Sequence, residues 1–225
     1  MLSLRSLRRV FQKPQIKKRT REHARTILAD TDIAAFNELR QRHSSKFLNV
    51  DLYIPYNVRI CQRIGLIESG PLHILDIGCG TGIFLRCARH FGHSGIGIDI
   101  EKDVQAEAAA LHRVDRRVAP VRPFVPLDID GRFDLVTAIA TSFDKYRDAD
   151  LNPISHWGCR EWAFLLSDIR LRLTENGRVF LLLNKRESPQ LNAAFALGHM
   201  RNNEYLFDRP NLDRLIDRLT QRSAQ

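Results

Sequence analysis

Apolar and polar positions along this chain form two kinds of segment, short apolar runs and longer amphipathic stretches. Four runs have the nearly continuous apolar character of strands buried on both faces: HILDIG, GIGIDI, RFDLVTAIAT and RVFLLLN. Three stretches carry apolar residues at helical spacing: IFLRCARHFG, VQAEAAALHRV and EWAFLLSDIRLRL. This alternation of strands and helices predicts an α/β, doubly wound domain with a mostly parallel sheet.

The segments on either side of this alternation add further elements. A helix is predicted to follow a cap at Asp30 or Thr31, and a second helix is predicted to begin at Pro55. Three prolines in RVAPVRPFVPL restrict another strand to residues 118–121. TENG is predicted to separate the last long helix from RVFLLLN. NEYLF and RPNLDRLIDRL then predict one more strand and a terminal helix.

Lysine and arginine are concentrated at the N-terminus. The 225-residue chain has a net charge of +9, and its first 25 residues hold nine lysines and arginines against one acid, Glu22. This segment therefore carries +8, and the rest of the chain is nearly neutral. We divide the chain into a basic arm of residues 1–29, predicted to be partly disordered, and a domain of residues 30–225.

Three kinds of partner are compatible with the basic arm: RNA, anionic lipid and an acidic protein. Phe11 is the single aromatic residue among the first 25, which gives little means of stacking on bases. A solvated terminus without a specific partner and a mitochondrial presequence are the other interpretations of this composition.

Cysteine usage and hydropathy indicate the compartment. The four cysteines form no CxxC pair, which is typical of reduced thiols in a cytosol. No apolar run in the sequence approaches the roughly 20 residues that a membrane-spanning helix needs. The sequence therefore predicts a cytoplasmic protein without a membrane span, and it contains no spacing that predicts a metal site.

The stretch HILDIGCGTGIF places three glycines in five positions directly after a predicted strand. Such a turn presents backbone N–H groups at a helix N-terminus, where the helix dipole favours negative charge. The turn lacks the Lys-Ser/Thr pair of GxxxxGK[ST], which argues against a nucleoside triphosphatase. Its glycines stand at Gly78, Gly80 and Gly82, so the spacing also differs from the GxGxxG of dinucleotide-binding proteins.

Two acidic residues change which ligand this turn is predicted to hold. Asp76 comes just before the glycines, where its charge repels a pyrophosphate but attracts an amine or a sulfonium. Asp99 closes the next strand, GIGIDI, where a carboxylate can accept both hydroxyls of a ribose. The pair predicts a ribose-bearing ligand with positive charge near the turn.

ILDIGCGTGIF followed by GIGIDIE resembles motif I and the second strand of the class I S-adenosylmethionine-dependent methyltransferases. RFDLVTAIA and LTENGRVFLLLN resemble the fourth and fifth strand segments of that family, so the resemblance covers roughly residues 55–184. It implies a Rossmann-like fold and S-adenosylmethionine as the cofactor. The family usually closes its sheet with an antiparallel hairpin. The short tail after residue 184 predicts that this edge is abbreviated or is completed by a partner chain.

The resemblance also implies which residues contact the cofactor. Asp76 and the glycine loop would lie against its methionine part, Asp99 would bind the ribose, and Ile100 would pack on the adenine. The predicted cofactor-binding residues are Asp76, Gly78, Cys79, Gly80, Gly82, Asp99, Ile100 and Ala140. Many members hold the adenine amino group with an acid or amide after the third strand. Here the first acid in that region is Asp128, interpreted as a turn residue, so we expect backbone groups to hold the adenine.

The methyl acceptor is predicted to bind after the fourth strand, because the enzyme mainly positions it against the methyl group. TSFDKYRD in that region lacks the [N/D]PPY tetrapeptide of amino-group methylation, and no Pro-Cys nucleophile of cytosine C5 methylation follows the strand. The candidate catalytic residues are His156, Asp144 and Tyr146, and the candidate substrate-binding residues are Phe143, Trp157 and Glu161. The alternatives are a surface position for His156, a helix-dipole role for Glu161 and simple packing for Trp157.

Residues before the first strand offer a further wall for the site. Tyr53, Tyr56 and Arg59 either form a lid over the cofactor carboxylate or pack a helix against the edge of the sheet. Both interpretations follow from a position next to the predicted motif.

The sequence predicts a methyltransferase that acts on oxygen or nitrogen of a small molecule or glycan precursor. WGCREWAFLLSDIRLRLTENGRVFLLLN resembles uncharacterised bacterial methyltransferases that modify saccharides or other small molecules. Two other hypotheses remain open. One is an RNA methyltransferase that contacts phosphates with residues 1–25. The other is a non-catalytic, cofactor-binding scaffold protein.

Overall fold

The computed structural model describes residues 18–146, 153–183, 189–201 and 203–223. Seven strands of these residues form the main sheet: β1 (His73–Ile77), β2 (Ser94–Asp99), β3 (Asp115–Val118), β4 (Phe133–Thr141), β7 (Leu173–Leu183), β8 (His199–Arg201) and β9 (Glu204–Asp208). A two-stranded hairpin, β5 (Asp144–Tyr146) and β6 (Pro153–His156), lies outside that sheet. The described residues also form α-helices: α1 (18–29), α2 (Ile33–Arg42), α3 (Val50–Arg63), α4 (Ile83–His90), α5 (Asp103–Leu111), α6 (Cys159–Arg172), α7 (Pro189–Phe195) and α8 (Arg209–Arg222).

The strands of the main sheet lie in the order β3-β2-β1-β4-β7-β9-β8. The pairs from β3 to β7 are parallel, and β9 is antiparallel to both of its neighbours. The predicted doubly wound, mostly parallel sheet is therefore confirmed. The chain order reverses between β1 and β4, and such a reversal opens a crevice at the carboxyl ends of the strands.

The C-terminal edge of the sheet is complete within one chain. NEYLF forms β9 and RPNLDRLIDRL forms α8, as predicted. The prediction of an abbreviated or partner-completed edge is wrong, because β8 and β9 supply an antiparallel hairpin next to β7. Glu204 at the start of β9 also accepts two hydrogen bonds from Arg63 of α3, at 2.9 and 2.6 Å, which ties this edge to helix α3.

Several predicted boundaries shift in the structure. Helix α3 begins at Val50, capped by the Asn49 side chain, and Pro55 lies inside it rather than at its start. The segment TENG is the first part of β7 and does not separate the helix from the strand. Strand β3 covers Asp115–Val118, three residues before the predicted span, because it pairs with β2 ahead of the prolines.

The basic N-terminal segment is not uniform. Residues 18–29 form α1, in which Ala24 and Ile27 are buried in the same apolar cluster as α3 and α4. Arg86 of α4 donates to Asp30 at 2.5 Å, just after this helix. Part of the predicted arm thus packs on the body, while residues 1–17 lie outside the described residues. The division of the chain at residues 29 and 30 stays a prediction.

The core consists of two apolar layers, one on each face of the sheet. Val136 of β4 points into the layer that contains Trp162 of α6, whereas its neighbour Leu135 points into the layer that contains Val58 of α3. Adjacent strand residues face opposite sides, so a continuous apolar strand is buried on both faces. No helix of the described ranges has the length and apolar character to cross a membrane.

Candidate active site

A cleft of about 360 Å³ lies at the carboxyl ends of β1, β2 and β4, where the strand order reverses. The glycine turn after β1, the end of β2, the end of β4 and the start of α3 all contribute to its walls. Of the predicted cofactor-binding residues, the cleft is lined by Asp76, Gly78, Cys79, Gly80, Asp99, Ile100 and Ala140. The fold therefore brings together residues that are up to 64 positions apart in the sequence.

The glycines of the turn adopt backbone conformations that side-chain-bearing residues rarely adopt. Gly78 has φ +70°, and a Cβ at that position would lie 2.3 Å from Thr141 Oγ1, at the end of β4. Gly80 has φ +55°, and a Cβ there would meet no atom within 4 Å, so the turn leaves open space beside its backbone. Gly82 has φ +75° and is the N-cap of α4 rather than a wall of the cleft. The sequence pattern is thus explained by backbone geometry at each glycine.

Asp76 is buried at the end of β1. Its Oδ1 accepts a hydrogen bond of 2.6 Å from Thr137 Oγ1, because the two residues are direct neighbours across β1 and β4. Burial raises the pKa of the Asp76 carboxyl from 3.8 to about 7; the Thr137 hydrogen bond opposes this shift and the charge of Asp99 adds to it. A cation in the cleft would favour the ionised form, which is how two neighbouring carboxylates select a positively charged ligand.

Asp99 holds two backbone groups with its two carboxylate oxygens. Its Oδ2 accepts from Gly80 N and its Oδ1 accepts from Ile100 N, both at 2.7 Å. Each oxygen of a carboxylate has a second lone-pair site. The carboxylate is thereby fixed in one orientation and can still accept hydrogen bonds from two hydroxyls in the cleft.

Ala140 lies where β4 departs from regular pairing. The register between β4 and β7 shifts between Ile139 and Thr141, and Ala140 has φ +54° in the left-handed region. Bulges and positive φ values are common beside functional sites, where they redirect a strand end. The bulge turns the backbone after β4 across the mouth of the glycine turn.

The predicted acceptor side of the cleft is formed by the β5–β6 hairpin and the residue that follows it. Phe143, Asp144 and Trp157 all line the cleft. The Trp157 ring packs 5.2 Å from the Phe143 ring, and its Nε1–H donates to the Asp144 carbonyl at 2.9 Å. The aromatic packing and this hydrogen bond hold the backbone of Asp144 in place.

His156 and Asp144 are paired across the hairpin. His156 Nδ1 lies 2.5 Å from Asp144 Oδ1, and an ionised carboxylate can only accept, so the imidazole donates. The Asp144 side chain is 13% exposed and lines the cleft, whereas His156 is 48% exposed and lies outside its walls. The structure therefore places the carboxylate toward the cleft and the imidazole toward solvent.

Two other predicted residues lie elsewhere. Glu161 does not line the cleft; it is buried in the first turn of α6, where its Oε2 accepts from Gly158 N at 2.8 Å. This contact matches the predicted alternative of a helix-terminus role. Tyr146 ends β5, and its side chain falls outside the described residues.

The structure adds an aromatic wall that the sequence indicated only in part. Tyr53 and Tyr56 of α3 line the cleft together with Phe47, whose ring lies 5.4 Å from Tyr53. Arg59, predicted beside them, is exposed on α3 and does not line the cleft. Phe47 had no recognisable signal because it lies in a short 3₁₀ turn at Lys46–Leu48, before the helix.

Comparison with known proteins agrees with this geometry. Residues 50–143 match the family model of a methyltransferase domain. This part of the chain is therefore similar to a methyltransferase domain, which agrees with the resemblance of its glycine turn. The matched residues include the glycine turn, both carboxylates and the end of β4.

One relative of this chain is an enzyme that acts on ribosomal RNA. An 18S rRNA (guanine-N(7))-methyltransferase from Bos taurus is 27% identical over 154 residues, which are 63% of this chain and 50% of the relative. The chain thus spans about half the length of that relative.

Solved structures with a similar fold have a lower sequence identity to this chain. An amino pentose methyltransferase from Micromonospora echinaspora is 22% identical, with a TM-score of 0.42 over 57% of this chain and 50% of its own. A ribosomal protein L11 methylase from Lactobacillus delbrueckii subsp. bulgaricus is 20% identical, with a TM-score of 0.45 over 70% and 77%.

The residues present fit S-adenosylmethionine. The open space beside Gly80 leaves room for a ligand against the backbone, and the two carboxylates suit a ligand with both a positive charge and ribose hydroxyls. We propose that Asp76 and the glycine turn hold the methionine part, that Asp99 holds the ribose, and that Ile100 packs on the adenine together with Val121, which also lines the cleft.

The raised pKa of Asp76 predicts that cofactor binding depends on pH. The pKa of the Asp76 carboxyl is about 7 in the free protein, so at pH 6 this carboxyl holds a proton. Because a cationic ligand favours the ionised carboxylate, binding at pH 6 must release that proton. We expect the affinity to be about tenfold weaker at pH 6 than at pH 8. Calorimetry in buffers of different ionisation enthalpy measures the released proton. The Asp76→Asn variant should lose this contribution to proton release, and equal proton release by both proteins would contradict the prediction.

Proposed function

We propose that the protein transfers the methyl group of S-adenosylmethionine to an oxygen or nitrogen atom of a small molecule or glycan precursor. The observation that supports this proposal is the position of Asp144, a residue that lines the same cleft as the glycine turn and Asp99. An acceptor in this cleft lies between a candidate base and the cofactor site. The aromatic rings of Phe47, Tyr53 and Tyr56 offer a surface for a ring-bearing acceptor.

Bound S-adenosylmethionine supplies a methyl group on a sulfonium, and the chain's residues position the acceptor and take its proton. An acceptor hydroxyl or amine beside Asp144 would donate to the carboxylate and lose its proton there. The hydrogen bond from His156 Nδ1–H would hold the Asp144 carboxylate in place, and the proton on Asp144 would then pass to water. We therefore assign Asp144 as the base and His156 as its partner, which reverses the order expected from the usual chemistry of histidine.

RNA is the second candidate acceptor. The first 25 residues carry +8 and the Bos taurus relative is an rRNA methyltransferase, so both observations favour this alternative. The aromatic rings that line the cleft suit a small ring-bearing molecule as well as a nucleobase. A non-catalytic, cofactor-binding protein is the third alternative, and the paired Asp144 and His156 argue against it.

A label-transfer experiment distinguishes these acceptors. Cofactor carrying a radioactive methyl group is incubated with the protein and with separate small-molecule, RNA and protein fractions of a cell extract. We expect label in the small-molecule fraction, and we expect the same amount when residues 2–17 are deleted. This deletion removes five basic residues and leaves α1 intact, with its buried Ala24 and Ile27.

Other outcomes assign the other functions. Label in RNA that falls with the deletion and with rising salt would support the RNA methyltransferase instead, since phosphate contacts release counterions. Cofactor binding without label in any fraction would support the non-catalytic protein. A variant with Asp130→Asn, an exposed acid outside the cleft, serves as the matched control for general damage.

A further inference from the structure

Arg116 of the edge strand β3 reaches the backbone of both loops that border the cofactor site. Its Nη2 donates to the Ile100 carbonyl at 2.5 Å, and its Nε donates to the Gly80 carbonyl at 3.3 Å. The same Nη2 lies 3.3 Å from Gln105 Oε1 of α5. One guanidinium thus joins the glycine turn after β1 to the loop after β2.

Asp99 contacts the same two residues at their amide groups. Its carboxylate accepts from the amides of Gly80 and Ile100, whereas Arg116 donates to their carbonyls. Gly80 and Ile100 are therefore each held at both backbone polar groups. Hydrogen bonds to charged groups are about twice as strong as neutral ones, so this double attachment fixes the relative position of the two loops.

The neighbouring arginine on β3, Arg117, has surroundings different from those of Arg116. Arg117 follows Arg116 on β3 and points to the opposite face of the sheet, where it is exposed and pairs with Asp115 at 3.3 Å. Arg116 is less exposed, and its position opposite Gly97 of β2 directs it toward the glycine turn. The two residues have the same charge and the same strand but different surroundings.

We propose that Arg116 is a positioning residue for the cofactor: it fixes Gly80 and Ile100 so that the Asp99 carboxylate stays aimed at the ribose. The inference rests on the proposed ribose contact of Asp99. In this role, Arg116 on the edge strand aligns the cofactor site without contacting the cofactor. A residue that aligns a carboxylate for ribose affects every ribose-bearing ligand, whatever charge that ligand carries elsewhere.

Titration of the Arg116→Met variant with three ligands tests this proposal. The ligands are S-adenosylmethionine, its demethylated product S-adenosylhomocysteine, and adenosine, and the measurement is calorimetry at 25 °C. We expect the Kd of all three to rise by a similar factor of about 10 to 30, as for other residues that orient a ligand-binding group. Arg116→Lys should give a similar loss, because one ammonium cannot reproduce the fork of a guanidinium.

Matched measurements keep the outcome clear. Arg117→Met should leave all three Kd values unchanged, and thermal unfolding is followed for each variant to separate binding from stability. A lower Tm with unchanged Kd would overturn the proposal, because Arg116 would then be only structural. Tighter binding of the sulfonium ligand alone would also overturn it, since that result indicates simple charge repulsion. Failure of the unmodified protein to bind any of the three would instead contradict the cofactor site itself.

Discussion

Replacement of Asp99 by alanine should weaken the binding of S-adenosylmethionine by at least about 100-fold. The carboxylate is placed to accept two ribose hydroxyls, and hydrogen bonds to a charged group contribute about 1.5–3 kcal/mol each. The variant also leaves the amides of Gly80 and Ile100 without their present acceptor, so both loops lose an attachment. The measurement is the Kd of the cofactor by calorimetry.

Controls for this variant come from its surroundings. Asp99→Asn keeps one acceptor oxygen and the side-chain volume, so it should bind more tightly than Asp99→Ala but less tightly than the unmodified protein. Glu101→Ala removes an exposed acid two residues away that does not line the cleft, and it should leave the Kd unchanged. An Asp99→Ala protein that binds the cofactor within threefold of the unmodified protein would show that the ribose is held elsewhere.

Replacement of Asp144 by asparagine should reduce kcat for methyl transfer by about 100-fold or more, with little change in the Kd of the cofactor. General base catalysis typically contributes 10²–10⁴ in rate, and an amide cannot take the acceptor's proton. The structure favours Asp144 over His156 because the carboxylate lines the cleft and the imidazole does not. The rate is measured with the acceptor that label transfer identifies.

The paired variant His156→Ala separates the two roles. If His156 only orients the Asp144 carboxylate, its loss should reduce kcat by about tenfold, because the base itself is retained. A loss equal to that of Asp144→Asn would make the imidazole the base. A normal kcat in both variants would mean that the acceptor needs no base, as for an amine that is already neutral, and that the pair is structural.

The sequence predicted most of the elements because each depends on local patterns. Apolar runs predicted four strands of the sheet, and the glycine spacing with Asp76 and Asp99 predicted a cationic ligand that bears a ribose, which the family resemblance names as S-adenosylmethionine. The errors have local causes. Pro55 is compatible with the first turn of a helix, so no local pattern indicated that the helix starts at Val50. TENG has the composition of a turn, yet it continues into β7 because its neighbour β4 pairs with that strand across a register shift.

The C-terminal edge of the sheet was also predicted wrongly, because one of its strands has no local pattern. The tail after residue 184 offered one recognisable strand, and β8 is only three residues long. A strand of that length has no periodicity to detect, and its pairing with β9 becomes evident only in three dimensions. The sequence therefore suggested an incomplete edge that the folded chain closes by itself.

The sequence by itself determined the fold class and, through a family resemblance, indicated the methyl donor, because alternation of apolar segments and a short run of glycines and acids are local properties. The tertiary structure decided the rest. It placed Asp144 rather than His156 toward the cleft, and it brought Phe47 beside Tyr53. It also aimed Arg116, an arginine with no distinguishing neighbour in sequence, at two carbonyls 36 and 16 residues away. Such contacts depend on which strand faces which loop, and no local pattern records that.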